Sequence, residues 1–318
     1  GKLMEKVKLG IVGAGYIAQK HLEVIDAIDE IEAVAITSRT FSKAEALAKD
    51  HKIGVCANSL ESMIQEVDID ALMILVSPDQ MFSVVAEAIP YKLPLFIEKP
   101  AGLTPNENLE LTQLSERHGT LSMVGFNRRY YSIFHKGLEI INKNGGLLGL
   151  AVEGHERFWK NTVWNLQDEI RENWIYANST HTIDLLRFFG GEIRNIETFT
   201  TKLKEKNGDQ YVAAMDFASG AIGTYTSHWF SPGGWTATLY GDGITVVFNP
   251  LEKGVWIDTD FRKYEIHPDE VDIQFKPGFY RQMESFVNMI RTGTLEAPAM
   301  NLAKALKTME LVEKFANA

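Results

Sequence analysis

A short apolar run, Val7 to Val12, leads straight into Gly13-Ala14-Gly15-Tyr16-Ile17-Ala18, and no other feature restricts the fold as much. The spacing is G-x-G-x-x-G/A with alanine at the third small position. Gly13 permits the tight turn, Gly15 lets backbone approach a pyrophosphate, and Ala18 lets the next helix pack close to the strand. That helix, over Tyr16 to Ile28, would point its positive N-terminal end at the phosphates. Alone the motif is weak. Here a strand precedes it, an amphipathic helix follows, and a second strand runs from Glu32 to Thr37, which is the context a dinucleotide site requires. The competing explanation is a glycine turn of purely structural origin.

The end of the second strand discriminates between the two nicotinamide cofactors. An acidic residue there would hold the ribose 2′-hydroxyl of NAD and repel a 2′-phosphate. The chain instead has Thr37-Ser38-Arg39-Thr40, with Lys43 one turn on. Ser38 offers a hydrogen bond and Arg39 a planar fork suited to phosphate. NADP is therefore favoured, with NAD still possible. The alternative is an exposed βα loop that happens to be basic.

The first 125 residues alternate strand and helix, which predicts a doubly wound parallel sheet. Helices are expected over Ser42–Lys49, Leu60–Gln65, Met81–Ile89 and Pro105–His118. Strands are expected near Val55, over Ala71–Val76, up to Glu98 and over Leu121–Val124. Beyond Asn127 the rhythm changes. A helix over Tyr131–Asn142 ends at Gly145-Gly146, and a strand over Leu148–Phe158 follows. Seven further runs lie between Ile193 and Ile266, several alternating apolar and polar residues, as an antiparallel sheet with one covered face should. Two helices, Phe279–Arg291 and Met300–Ala316, close the chain. The expected architecture is α/β: a Rossmann domain over 1–125, then an α+β domain over 126–318 with a large, mostly antiparallel open sheet. With no flexible linker at the boundary, substrate is expected in the cleft between them.

Bulk properties narrow the function. At 318 residues the chain can build two substantial cores. A net charge of −10 argues against nucleic acid or an anionic membrane as partner. The single cysteine, Cys56, excludes an internal disulfide and fits a reducing compartment. No apolar stretch approaches a membrane span and no signal peptide is visible, so the cytoplasm is expected. Gly1-Lys2-Leu3 ahead of Met4 reads as a cloning leftover. Metal-site and nucleophile-elbow patterns are missing, so no metal is expected.

Glu98-Lys99-Pro100 caps the apolar run Leu95-Phe96-Ile97. Ligands of parallel sheets bind outside the carboxyl ends of the strands, which would put Lys99 in a cofactor crevice. Pro100 restricts Lys99 to extended geometry and opens the option of a cis bond. A solvated charge is the bland reading of the same lysine.

The glycine turn, Glu-Lys-Pro closing the fifth strand, and His181-Thr182-Ile183-Asp184 on a later helix resemble the glucose–fructose oxidoreductase / inositol 2-dehydrogenase (Gfo/Idh/MocA-type) family. The resemblance spans essentially the whole chain. Gly125-Phe126-Asn127-Arg128-Arg129-Tyr130 also looks like members acting on sugars or sugar nucleotides. It implies NAD(P)-dependent hydride transfer at a sugar or polyol carbon, in homodimers or homotetramers. Lys99 matches the family's lysine at the reacting hydroxyl and nicotinamide, and His181 its acid/base histidine, a role that suits imidazole. Asp184, one turn later, either orients that ring or simply favours the helix dipole. Ser77, Pro78 and Glu98 join Gly13, Gly15, Tyr16, Ile17, Ala18, Ser38, Arg39, Lys43 and Lys99 as expected cofactor residues.

Two positions depart from the pattern. Many members have an aspartate four residues before the histidine, where this chain has Ala177. At the fourth strand's end Phe82 stands where the family has a histidine. Neither Tyr176 nor Asn178 replaces a carboxylate. The segment Glu153 to Tyr176 carries Arg157, Phe158, Trp159, Trp164, Arg171, Trp174 and Tyr176, a composition suited either to sugar rings and anions or to a subunit interface. Arg157 or Trp159 is expected at substrate, with Asn178 a further candidate. Ser231-Pro232-Gly233-Gly234 reads as a turn between strands.

The leading expectation is an NADP-preferring dehydrogenase or reductase for a sugar-like CH–OH group, with Lys99 and His181 at the reacting oxygen. A non-catalytic NADP-binding sensor or regulator of the same fold is the alternative. A glycosidase using transient oxidation by NAD is the third reading, and the basic Ser38-Arg39 turn weighs against it.

Overall fold

The computed structural model describes residues 5–318; Gly1 to Met4, including the tripeptide read as a cloning leftover, lie outside the described residues. Two compact units form: the chain up to Asn127 together with Val271–Leu306, and Arg128–Glu270 together with Lys307–Ala318.

The first unit is built on six strands, β1 (Val7–Val12), β2 (Ile31–Thr37), β3 (Val55–Ala57), β4 (Ala71–Ile74), β5 (Leu95–Ile97) and β6 (Ser122–Val124). Their order is β3-β2-β1-β4-β5-β6, and every pairing is parallel. β4 and β5 are buried at every residue, because helices cover both faces of such a sheet and each position must be apolar. Strand order reverses at β1 and β4, the switch point where ligands of doubly wound sheets bind. Helix Pro105–His118 has the bounds the sequence predicts. The Thr104 hydroxyl accepts from the Glu107 amide, Pro105 opens the first turn, and Gly119 closes it at φ +66°. Helix Pro78–Ala88 starts three residues before the predicted Met81, because Pro78 serves as its first residue after Ser77.

Val271–Leu306 returns to this unit, which a single cut near residue 126 does not anticipate. Helix Phe279–Thr292 stacks Phe279 on His21 at 4.4 Å and sets Phe286 edge-on to Phe96 at 5.5 Å. The Val124 amide donates to the Met300 carbonyl at 2.7 Å, adding a backbone bridge to β6.

The second unit holds an eight-stranded sheet of β7 (Gly149–Gly154), β8 (Ile193–Thr201), β9 (Gln210–Phe217), β10 (Ile222–His228), β11 (Trp235–Gly241), β12 (Ile244–Phe248), β13 (Gly254–Ile257) and β14 (Lys263–Ile266). The order is β14-β13-β12-β11-β7-β10-β9-β8. All pairings are antiparallel except β7 with β10. β7 stops at Gly154, four residues short of the predicted Phe158. A Cβ on Gly154 would lie 2.3 Å from Thr182 Oγ1 and 2.5 Å from Tyr225 Oη, so helix Thr180–Gly190 crosses closely there. That helix and Ser132–Lys143 cover one face, around Phe134, Leu185, Phe189 and Phe248. On the other side, Leu148, Phe199, Val212, Ile222 and Tyr240 stay exposed. No helix among the described residues is long and apolar enough to cross a membrane.

Candidate dinucleotide and catalytic sites

The glycine turn forms one wall of a cavity of about 570 Å³ in the first unit. Gly13, Ala14 and Gly15 line it from the turn after β1, Ser38, Arg39, Thr40 and Lys43 from the region after β2, and Ser77 and Gln80 from the region after β4. Gly13 holds φ +117°, and a Cβ there would lie 2.4 Å from the Leu75 carbonyl oxygen. Gly13 is thus required by the fold itself. Gly15 differs: a Cβ there would meet no atom within 4 Å. It also caps helix Tyr16–Ala27 with no side chain accepting from the first turn, so that turn's amides remain available for an anion. These residues fit a dinucleotide.

The Ser38 hydroxyl accepts from the Thr40 amide at 3.2 Å, which folds the turn and leaves Arg39 exposed. The one carboxylate in the lining is Glu87, on helix Pro78–Ala88 and not at the end of β2. Ser77 donates to Asp79 at 2.6 Å and accepts from Gln80 at 2.7 Å. Of the predicted cofactor residues, Gly13, Gly15, Ser38, Arg39, Lys43 and Ser77 share this cavity; Tyr16, Ile17, Ala18, Pro78, Glu98 and Lys99 are not in its lining.

At the end of β5 the Glu98 amide donates to the Ile74 carbonyl, extending the ladder, and the Lys99–Pro100 bond is cis. The Glu98 carboxylate turns back to His21, whose Nε2 lies 2.9 Å from Oε2. Glu98 therefore braces the strand end against helix Tyr16–Ala27. Phe82 packs against the apolar cluster of this unit.

His181 lies in the first turn of helix Thr180–Gly190, directly after the π-helical turn Ile175–Ser179. Arg128 Nη1 is 2.8 Å from His181 Nδ1, and the guanidinium also sits 4.9 Å from the centroid of Trp235. Asp184 is held by other partners. Its Oδ2 and Oδ1 accept from Arg129 Nε at 2.7 Å and Nη2 at 2.9 Å, and Oδ1 also accepts from Thr308 at 2.7 Å. Burial opposes the Arg129 charge, yet Asp184 outweighs it and holds that guanidinium above its ordinary range. Arg128, not Asp184, faces the imidazole.

Ala177 is buried within the π-helical turn, and its neighbours Asn178 and Ser179 hold a carboxylate that the sequence did not reveal. Glu156, only 3% exposed, accepts from Asn178 Nδ2 at 2.7 Å, Ser179 Oγ at 2.9 Å and Trp174 Nε1 at 3.3 Å. It lines a pocket of about 580 Å³ with His155, Arg157, Lys160, Asn178 and Trp235 among its walls. Gly233 and Gly234 also line it, so the loop read as a plain turn is part of a pocket. Arg157 and Asn178 line this pocket, whereas Trp159, an exposed residue, is outside its lining. Phe158 and Trp229 pack into the core, and Arg171 stacks on Trp164 at 3.9 Å. Sequence separation conceals Glu156 and the pairing of Arg128 with His181; the stretch from Gly125 to Tyr130 marks Arg128 but not its partner.

A doubly wound parallel sheet with a glycine turn at its switch point defines a dinucleotide-binding α/β protein. Residues 7–126 match the family described as "Oxidoreductase family, NAD-binding Rossmann fold", and residues 150–247 match the GFO/IDH/MocA C-terminal domain. The chain belongs to this GFO/IDH/MocA oxidoreductase family, and its first unit is an NAD(P)-binding Rossmann fold. It is 29% identical over 143 residues to the uncharacterized oxidoreductase YrbE of Bacillus subtilis, covering 45% of this chain and 42% of that protein. It is 25% identical over 207 residues to inositol 2-dehydrogenase of Acidothermus cellulolyticus, covering 64% and 59%. The matches thus span about half the length of these curated relatives. The crystal structure of a dehydrogenase from Chromobacterium violaceum superposes with TM-score 0.86 over 99% of this chain and 95% of that one; at 20% identity this likeness concerns the fold alone.

Proposed function

We propose that the protein is an NAD(P)-dependent dehydrogenase or reductase acting on a CH–OH group of a sugar, sugar derivative or polyol, with NADP preferred. The observation that carries this reading is the cavity shared by Gly13, Gly15, Ser38, Arg39 and Lys43, with no carboxylate at the end of β2. Arg39 and Lys43 suit a 2′-phosphate, and the uncapped helix start suits the pyrophosphate. When bound, the nicotinamide supplies or accepts the hydride at C4. Lys99 is assigned to stabilising charge on the reacting oxygen and His181 to its proton. Arg157, Asn178 and, from outside the pocket, Trp159 are assigned to substrate. The exposed apolar face around Phe199 and Ile222 supports self-association as a homodimer or homotetramer.

A second reading keeps cofactor binding and discards catalysis. Ala177 supplies no carboxylate and Phe82 no hydrogen bond, which suits a sensor. One experiment separates the two: titrate NADPH and NADH, then screen sugars, inositols and their keto forms for absorbance change at the nicotinamide band. Tight NADPH binding with turnover supports the enzyme; tight binding without turnover across the panel supports the sensor. Equal NADH and NADPH affinity, unchanged in Arg39→Asp, removes the NADP preference.

A further inference from the structure

A guanidinium has five donors and no acceptor, and it keeps its proton at any pH a protein survives. Arg128 Nη1 lies 2.8 Å from His181 Nδ1, so Nδ1 must be the acceptor. The neutral ring then carries its one proton on Nε2. In that tautomer His181 can donate to an oxygen, but it has no lone pair at Nε2 to take a hydroxyl proton. The base-competent tautomer needs a proton on Nδ1, which would face the guanidinium donor to donor. Protonating both nitrogens for acid catalysis meets the same obstacle. His181 therefore cannot exchange a proton through Nε2 while Arg128 stays where it is.

Arg128 is itself incompletely satisfied. Its Nε is buried and has no hydrogen-bond partner, a condition that costs free energy and that an acceptor would relieve. A carboxylate or phosphate matches the guanidinium edge with two parallel hydrogen bonds. The surroundings favour such a group. Trp235, which carries the guanidinium on its ring at 4.9 Å and lies 5.7 Å from the His181 ring, also lines the pocket that holds Arg157, Lys160 and His155. The only carboxylate in that lining, Glu156, already accepts from three side chains. In a chain of net charge −10 this is a local surplus of basic groups.

We propose that Arg128 is a latch on His181, released by an anionic group of the substrate. The anion draws the guanidinium off Nδ1, the ring proton moves to Nδ1, and Nε2 gains its lone pair. In the oxidising direction the substrate hydroxyl then gives its proton to Nε2 while the C–H bond breaks and its electron pair leaves with the hydrogen to oxidised nicotinamide. A neutral polyol leaves the latch closed and is a poor substrate. Arg128 is thus a positioning residue, and the substrate class narrows to acidic sugars or sugar phosphates. The assignment rests on the proposed oxidoreductase function, but its main readout does not.

The test is ¹⁵N-histidine NMR of the full chain, with His181→Asn used to assign the signals. The free protein is expected to show His181 with Nδ1 bare and Nε2 protonated. Arg128→Gln, whose amide oxygen can accept, is expected to shift the proton to Nδ1 without ligand. Glucuronate or glucose 6-phosphate should produce the same shift in the wild type, and glucose should not; whichever acid acts at lower concentration identifies carboxylate or phosphate as the natural group. With turnover measured beside it, kcat/KM should favour the acids over glucose by at least ~10-fold, as expected for a hydrogen bond to a charged group, and Arg128→Gln should erase that preference. A protonated Nδ1 in the free wild type, or no change in Arg128→Gln, overturns the latch. Equal responses to glucose and the acids, or none to either acid, overturn the role of the anion. A correct tautomer pattern without hydride transfer would instead count against the oxidoreductase reading.

Discussion

His21 Nε2 lies 2.9 Å from Glu98 Oε2, joining the helix that starts at the glycine turn to the strand end that presents Lys99. An ionised carboxylate only accepts, so His21 donates from Nε2. The ring is held between Phe279, stacked at 4.4 Å, and the edge of Phe96 at 5.0 Å. Two segments far apart in sequence, both assigned to the cofactor's neighbourhood, thus keep a fixed relation.

His21→Phe keeps an aromatic ring in the stack and removes the donor. Leaving a mostly buried acceptor without its partner costs about 1–3 kcal/mol, and this loss should appear as a lower urea midpoint. Replacing both residues, His21→Phe with Glu98→Met, should cost less than the sum of the single changes. Strict additivity of the two costs would show that the pair is not coupled.

Gly13 and Gly15 should respond differently to substitution. Gly13→Ala forces a Cβ to 2.4 Å from the Leu75 carbonyl oxygen at a left-handed φ, so it should lower the melting temperature. Gly15→Val meets no protein atom at its Cβ, so the melting temperature should stay near wild type while NADPH affinity falls by ~10-fold or more, about 1.4 kcal/mol. Retained affinity in Gly15→Val, read by fluorescence titration, would remove Gly15 from the cofactor site.

Lys99→Ala should lower turnover by ~10²-fold or more, the scale for losing a donor that stabilises charge developing on oxygen. NADPH titration of the same variant keeps the interpretation clean, since binding should persist. Near-normal turnover would remove Lys99 from that role and leave the charge stabilisation to another group.

Stability should decline in alkali. Burial, with Glu313 adding to it, pushes the Tyr176 hydroxyl up to about 12 from its ordinary value of 10.0; burial raises Tyr211 and Tyr225 as well. The folded state therefore favours the protonated phenols. This contribution is fully present below ~10, where unfolded tyrosine titrates, and is lost as pH rises through the folded values. Thermal melts from pH 9 upward should show a falling midpoint, and Tyr176→Phe should make that fall shallower. A flat profile across the window would mean that these hydroxyls ionise alike in both states.

Much of the first unit was legible because its signals are local. The glycine spacing marks the turn after β1, and Thr104, Pro105 and Gly119 bound one helix to the residue. The alternation in Gln210–Phe217 and Lys263–Ile266 likewise marks those strands without reference to distant parts. The residues around His181 were not legible in this way. Arg128 reaches His181 across 53 positions, Glu156 reaches Asn178 across 22, and Thr308 reaches Asp184 across 124. Helical spacing placed Asp184 near the imidazole, but spacing carries no information about Arg129, which arrives from another element and takes the carboxylate first.

The return of Val271–Leu306 to the first unit has a consequence for how that unit can be made. A ribosome releases the chain in order, so the nucleotide-binding core emerges long before Phe279 can cover His21 or Met300 can bridge Val124. Until then the Phe96 side of the sheet lacks this cover, and a part made early is completed late. A fragment ending near residue 126 would keep every residue of the glycine turn and still lack this cover, so its insolubility would say nothing about cofactor binding.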